Sequence, residues 1–256
     1  MKFKNVIVKK PARTMVNGIS TANLGKPDYE KALKQHEEYV KTLKECGVDV
    51  KILEADEKYP DSTFVEDPAV LTDKCAIITN PGANSRKGEI KDIKNAIEKY
   101  YSSDQIFEIK EPGTLEGGDI MQVEDHFYIG VSDRTNKDGA KQLLDYLNKF
   151  NYTGDIVEFK GILHLKTGMS YIGDNTLLAT ELFADKEIFT NYKIIKVSEK
   201  EAYASNCIRV NDYVIVPDGY PETKKKIEKN GFKTKTVDVS EFRKIDGGLS
   251  CLSLRF

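Results

Sequence analysis

Short apolar runs recur along the chain in pairs, each pair joined by a tight polar turn, opened by a polar or acidic residue, and usually followed by a loop and a helix. The first clear copy opens with Glu66-Asp67-Pro68 and predicts a strand over 69–72, a turn at Thr72-Asp73-Lys74 and a strand over 75–79. Pro81-Gly82-Ala83-Asn84 then leads into a helix with Ile90, Ile93 and Ile97 on one face, at i, i+3 and i+7. The second copy opens with Glu116-Gly117-Gly118-Asp119, with strands over 120–123 and 127–130 and a helix turning Ala140, Leu143, Leu144 and Leu147 inward. The third runs from His164 through strands over 169–172 and 176–179. The fourth opens with Asn206-Cys207, with strands over 208–210 and 213–216 and a helix over 221–229 that Pro221 starts and Gly231 follows. A fifth opening, Gly248-Leu249-Ser250-Cys251, comes where the chain runs out.

The openings are about 52, 45, 43 and 44 residues apart, a period that signals stacked or radially arranged units. If the ring closes, the N-terminal region must complete the fifth unit. A strand over 5–8, a helix from Asp28 to Cys46 and a strand over 49–53 are available for that. Tyr29, Leu33, His36, Val40 and Leu43 give this helix an apolar stripe, and Gly47 stops it. The pattern therefore predicts one α/β domain over 1–256, closed as a ring of about five strand-strand-helix-strand units.

Ring closure has a chemical consequence. Equivalent positions of the units converge near the axis, and here they are Asp67, Glu116 with Asp119, His164, Asn206 with Cys207, and Cys251. Buried carboxylates and imidazoles are costly without partners, so a set this polar is not chosen for packing. A thiol, an imidazole and carboxylates in one place read as nucleophile, general acid/base and cation lining. Cys251 follows Gly247-Gly248 in a short apolar run expected to be a strand or its edge, and it is the candidate nucleophile. Of the three histidines, His126 falls in a turn and reads as exposed and idle. His36 lies on the helix stripe and reads as a satisfied core residue. His164 alone opens a unit.

Composition narrows the partners. Apolar residues make up 39% and charged residues 31%, with 39 basic against 41 acidic side chains for a net charge of −2. That balance argues against nucleic acid and against an anionic membrane surface. No run approaches the roughly 18 apolar residues of a membrane-spanning helix. The apolar stretch near the start is too short for a secretory leader. Cys46, Cys75, Cys207 and Cys251 are widely spaced with no CxxC pair, so they are expected to be reduced thiols in a cytoplasmic protein. Homodimerisation is compatible with the sequence and is not specified by it.

The charge around the thiol defines the substrate. A free cysteine ionises near pH 8.5, and a lining of Asp61, Glu66, Asp67 and Glu116 opposes ionisation. A cationic substrate would neutralise those carboxylates and help form the thiolate as it binds. Carboxylates also match the planar fork of a guanidinium. Attack on an amidine or guanidine carbon follows.

Phe64-Val65-Glu66-Asp67-Pro68, Gly113-Thr114-Leu115-Glu116-Gly117-Gly118-Asp119, Leu163-His164-Leu165-Lys166-Thr167-Gly168 and Asp246-Gly247-Gly248-Leu249-Ser250-Cys251 closely resemble dimethylarginine dimethylaminohydrolases of the guanidine-modifying (pentein) superfamily. Lys10-Pro11-Ala12-Arg13 and Leu24-Gly25-Lys26-Pro27-Asp28-Tyr29 extend the likeness over essentially the whole chain. The resemblance implies a five-bladed α/β propeller that hydrolyses methylated arginine to citrulline and methylamine or dimethylamine, with no cofactor and no metal. It implies Cys251 as nucleophile, His164 as general acid/base and Glu116 orienting the imidazole. It assigns Asp61 and Asp67, with Glu66 beside them, to the guanidinium and the amino end of the substrate, and Arg86 and Arg134 to its α-carboxylate. Ile19 matches a mobile lid position, and Ile245 a backbone contact to substrate. Arginine deiminases carry an Asp two residues after the catalytic His, where this chain has Lys166. Without that second clamp the pocket is expected to admit N-substituted guanidines. A deiminase-like activity, or action on citrulline or another guanidino amino acid, is the alternative. A non-catalytic binding protein on the same ring is the alternative from another class.

Overall fold

The computed structural model describes residues 2–256, so only the first residue of the domain expected over 1–256 lies outside the described residues. Among the described residues there are five three-stranded sheets, all built on one plan. In the first, Ala76–Ile78 pairs antiparallel with Ala69–Leu71 and parallel with Ile106–Glu108. In the second, His126–Val131 is the middle strand between Ile120–Val123 and Thr153–Glu158. Thr176–Ala179 and Tyr213–Pro217 hold the same place in the third and fourth. The parallel third strand requires a crossover. Helices supply it in three sheets, at Ile90–Ile97, Lys137–Asn148 and Pro221–Lys229, and short turns supply it in the third sheet.

The fifth sheet draws on both ends of the chain. Asn5–Lys9 pairs antiparallel with Leu254–Arg255 and parallel with Asp49–Leu53, across the helix Tyr29–Glu45. The last strand is thus fixed to the first by Val6 opposite Arg255 and Ile7 opposite Leu254. That closure anchors the segment just before it, which carries Cys251. The result is a five-bladed α/β propeller.

Local chemistry explains the blade plan. Asp174 and Asn175, with φ of 51° and 54°, form the two-residue left-handed turn that suits a tight hairpin. Asp28 caps the long helix by accepting from Lys31 N at 2.9 Å. The buried face of that helix is Ala32, Tyr39, Val40 and Leu43 together with Gln35, His36 and Thr42, while Tyr29 and Leu33 are half-buried. The stripe is therefore rotated slightly from the expected one, because the flanking blades also cover its Ala32 and Tyr39 side.

One expectation fails here. Cys251 is not on a strand: Ser250–Leu252 forms a single tight helical turn, and the strand begins at Leu254. The turn lets Ser250 N and Oγ, together with the Cys251 carbonyl, bond to Asn206 and Glu66 of other blades, which an extended edge would not allow.

Candidate active site

Nine of the ten residues given a role by the family resemblance line one pocket at the ring axis: Ile19, Asp61, Asp67, Arg86, Glu116, Arg134, His164, Ile245 and Cys251. Asp67, Glu116, His164 and Cys251 arrive from the blade openings and Arg86 and Arg134 from the segments after the middle strands, so the repeated architecture gathers side chains that are up to 232 positions apart in sequence (Ile19 to Cys251, 251 − 19). Phe64, Leu163, Asp246 and Gly247 complete the lining.

His164 stands at the start of the single helical turn Leu165–Gly168. The buried carboxylate of Asp119 fixes that turn, accepting from Leu165 N at 3.0 Å and from Ser132 Oγ at 2.7 Å. The ring Nε2 lies 2.8 Å from Glu116 Oε2. Its Nδ1 edge presses on Gly118, where an added Cβ would come within 2.5 Å, so no side chain fits there. Burial alone would lower the His164 pKa. The carboxylate of Asp67, the bond to Glu116 and the charge of Asp119 outweigh it and raise the pKa to about 9. The ring is an imidazolium at neutral pH.

Asp67 accepts from Gly118 N at 2.9 Å and from Arg86 Nη1 at 2.5 Å. Burial opposes its ionisation, but Arg86 and His164 prevail and hold the carboxyl below its usual range. Arg86 is itself buried, with Nε on Glu89 at 3.1 Å and Nη2 on Glu89 at 2.7 Å and on the Phe64 carbonyl at 3.0 Å. Burial pushes Glu89 up to about 7 despite that pairing. Arg134 keeps more freedom, at 3.7 Å from Glu116 Oε1 and 21% exposed. Asp61 accepts from Ile19 N at 3.0 Å, and burial raises its pKa. Beside it, Asp246 accepts from Thr21 N at 2.6 Å, tying down the segment that follows Ile19.

Cys46, Cys75 and Cys207 are buried, whereas Cys251 retains exposure. Gly248 N points at the Cys251 sulfur from 3.4 Å. Burial, then Glu66 and Asp67, push its pKa up to about 12, so the thiol is neutral until a cation arrives.

Ligand atoms of Asp67, Glu116 and His164 lie within 4.8 Å of one another, close enough to surround a cation. Those atoms are already engaged with Arg86, Gly118 and each other, and the imidazole is protonated. Protonated nitrogen does not ligate metal, and the arrangement suits a flat organic cation better.

Two side chains point elsewhere. Glu66 does not line this pocket. It faces a well of about 180 Å³ on the other side, accepting from Lys166 Nζ at 2.5 Å, Arg255 Nη2 at 3.3 Å and Ser250 Oγ at 2.7 Å. Lys166 goes with it, so this lysine does not face a bound guanidinium: the counterion it needs is Glu66. The other histidines also differ in detail from expectation. His36 is buried but not satisfied, since its Nε2 has no partner, and burial lowers its pKa to about 4. His126 is half-buried at a strand start, with Nδ1 2.8 Å from Thr153 Oγ1. Sequence reasoning missed Glu89 and the Gly248 amide. The i,i+3 spacing of Arg86 and Glu89 was a usable signal for the first, and the bare Gly247-Gly248 pair before Cys251 for the second.

The sequence matches the family model described as N,N dimethylarginine dimethylhydrolase, eukaryotic, over residues 19–253. It is 50% identical over 254 residues to the N(G),N(G)-dimethylarginine dimethylaminohydrolase of Pseudomonas aeruginosa, covering 99% of this chain and 100% of that one. A cysteine-to-serine mutant of the Pseudomonas aeruginosa protein complexed with citrulline superposes with a TM-score of 0.98, both chains covered in full. A dimethylarginine dimethylaminohydrolase with histidine replaced by glycine, an adduct with S-methyl-L-thiocitrulline, is 50% identical and superposes with a TM-score of 0.97, covering 99% of this chain and all of that one.

Proposed function

The chain belongs to the dimethylarginine dimethylaminohydrolase family, and from that membership we propose that it hydrolyses N-methylated arginines to citrulline with Cys251 as the nucleophile. The observation that carries the residue assignment is the convergence, in one pocket, of a partly buried thiol, an imidazolium and carboxylates from separate blades.

The substrate guanidinium enters between Asp67 and Glu116, and its positive charge offsets theirs. That charge also lowers the cost of ionising Cys251, whose proton leaves to solvent as the cation binds. The thiolate then bonds to the guanidinium carbon. His164 gives its proton to the substituted nitrogen, and the carbon–nitrogen bond breaks to release methylamine or dimethylamine. An S-alkylthiouronium remains on Cys251. Neutral His164 next takes a proton from water, whose oxygen attacks the same carbon; the carbon–sulfur bond breaks, the remaining hydroxyl proton passes to the leaving sulfur, and citrulline is released with Cys251 again a thiol. Glu116 holds the ring in place and stabilises the imidazolium, as carboxylates paired to catalytic histidines do.

Arg134, the less committed guanidinium, anchors the α-carboxylate. Arg86 reaches the same end of the pocket, but its main commitment is to Asp67 and Glu89. Asp61, with the backbone at Ile19 and Ile245, receives the amino group. Glu66 belongs to the structural frame. Among the described residues no helix is long and apolar enough to cross a membrane. Four free thiols favour a reducing, cytoplasmic setting, testable by fractionation.

The chemistry is tested on His164→Gly with S-methyl-L-thiocitrulline, whose leaving thiol needs no general acid. Intact-protein mass spectrometry should show a covalent adduct, mapped by digestion to Cys251 and missing in Cys251→Ser. An unmodified mass under substrate excess contradicts the assignment.

A further inference from the structure

One side chain outside the catalytic set connects the segments that bear Cys251 and His164. Asn206 lies at the opening of the fourth blade and is 7% exposed. Its Oδ1 accepts from Ser250 N at 2.9 Å, and its Nδ2 donates to Ser250 Oγ at 3.1 Å and to the Lys166 carbonyl at 3.0 Å. Ser250 immediately precedes Cys251, and Lys166 follows His164 by two residues. A single amide therefore spans three blades, with its oxygen and its nitrogen both engaged.

The turn is shaped around that amide. A Cβ on Gly248 would fall 2.6 to 2.8 Å from the Asn206 amide atoms, so a bare backbone is needed for the turn to close on it. Closing the turn places Gly248 N opposite the Cys251 sulfur. The Cys251 carbonyl in turn accepts from Glu66 N at 3.2 Å, fixing the other end.

We infer that Asn206 is a positioning residue for the nucleophile: it holds the turn Gly248–Cys251 so that the Gly248 amide faces the sulfur, and keeps that sulfur registered against His164. The inference rests on the functional reading above and deepens it. A backbone N–H aimed at sulfur favours the thiolate over the thiol, and a fixed distance to the acid/base group is worth large factors in rate. A neutral amide suits the place. A carboxylate there would add negative charge beside Glu66 and Asp67, which already disfavour the thiolate, and would set an acceptor against the Lys166 carbonyl.

Asn206→Ala and Asn206→Asp are compared with wild type and with Tyr101→Phe. The last loses a buried bond to the Thr72 carbonyl within the first blade, away from Asn206, and serves as a control for destabilisation. Two readouts are taken: kcat and KM with asymmetric dimethylarginine, and the rate at which chloroacetamidine, an amidine alkylating probe, labels Cys251 between pH 7 and 9. Both Asn206 variants should lose about ten- to a hundredfold in kcat, with KM within about threefold, and slow labelling in parallel. Asn206→Asp keeps the bond to Ser250 N and the side-chain volume, so it decides the matter if the alanine variant does not fold. Its labelling rate should climb more steeply with pH than that of wild type. Tyr101→Phe should keep kcat and labelling at wild-type values. Rates within twofold of wild type in the Asn206 variants would overturn the inference, as would equal losses in Tyr101→Phe. A wild type that labels at Cys251 but forms no citrulline would overturn the functional reading instead, and the labelling ratios would still decide the role of Asn206.

Discussion

Glu66 and Asp67 are neighbours in sequence, equally buried, and turned opposite ways. Asp67 turns toward the pocket with His164 and Cys251, and Glu66 toward the well on the other side of the ring. On the Glu66 side, Lys166, Arg255 and Ser250 satisfy the carboxylate, so its charge is neutralised within the protein. On the Asp67 side, four carboxylates (Asp61, Asp67, Glu116 and Asp246) line the pocket against two guanidiniums and one imidazolium. The pocket is left one positive charge short, beside a thiol that burial first, then the charges of Glu66 and Asp67, keep protonated. A buried carboxylate that already has its cation is part of the scaffold. One whose neutralisation awaits a ligand marks the place where the ligand goes.

The largest effect that would break this comparison is on the thiol. Cys251→Ser should lose at least about ten-thousandfold in turnover, with thermal stability kept within about 3 °C. Residual citrulline formation above that level would remove the covalent step. Next in size is the paired test of the neighbours. Asp67→Asn should cut kcat/KM about a hundredfold or more, because it removes charge facing the guanidinium. Glu66→Gln should instead leave Lys166 and Arg255 short of a counterion and cost about 3 kcal/mol of stability, measured by denaturant titration. Its kcat/KM should fall by less than about tenfold, for a positioning change only. Equal activity losses with unchanged stability would place Glu66 in the catalytic machinery.

A smaller effect separates two buried histidines by sign. His164 is raised to about 9 in the folded state, so its stabilising contribution is complete below about pH 6.5 and is lost as pH climbs toward 9. His36 is lowered to about 4, so its contribution is complete above that range and is lost as pH falls from 6.5 toward 4. Relative to wild type, His164→Gly should flatten the alkaline limb of the melting-temperature profile, and His36→Phe the acid limb, each by a few degrees, about what 1 kcal/mol produces. A His164→Gly profile parallel to wild type above pH 7 would show that the ring is not held as an imidazolium.

The ring and most of the pocket were legible in the sequence because both come from repetition. Strand pairs around polar turns, at a near-constant spacing, place equivalent openings at one axis, and that geometry gathers His164, Glu116, Asp67 and Cys251 without any coordinates. Side-chain direction was not legible. At an axis with a pocket on each side, Glu66 and Lys166 can turn either way, and the choice depends on Arg255 and Ser250, which only ring closure brings near. The same limit hid the turn at Cys251. Its local sequence reads as an apolar edge, while Asn206 and Glu66, from other blades, fold it into a turn. His36 looked satisfied because the helix stripe says that it is buried and says nothing of what faces its Nε2.

The account's central claim is that the pocket takes a guanidinium substituted on one terminal nitrogen, with carboxylates gripping the unsubstituted side. The direct test is citrulline formation from asymmetric dimethylarginine, monomethylarginine, symmetric dimethylarginine and free arginine, with ornithine followed from citrulline. The asymmetric and monomethyl substrates should exceed arginine in kcat/KM by at least about tenfold, roughly 1.4 kcal/mol in transition-state binding. Symmetric dimethylarginine, which carries a methyl on each terminal nitrogen, should be poor because one methyl must press on the carboxylates. Equal rates on arginine and asymmetric dimethylarginine, or ornithine as the main product, would contradict the claim.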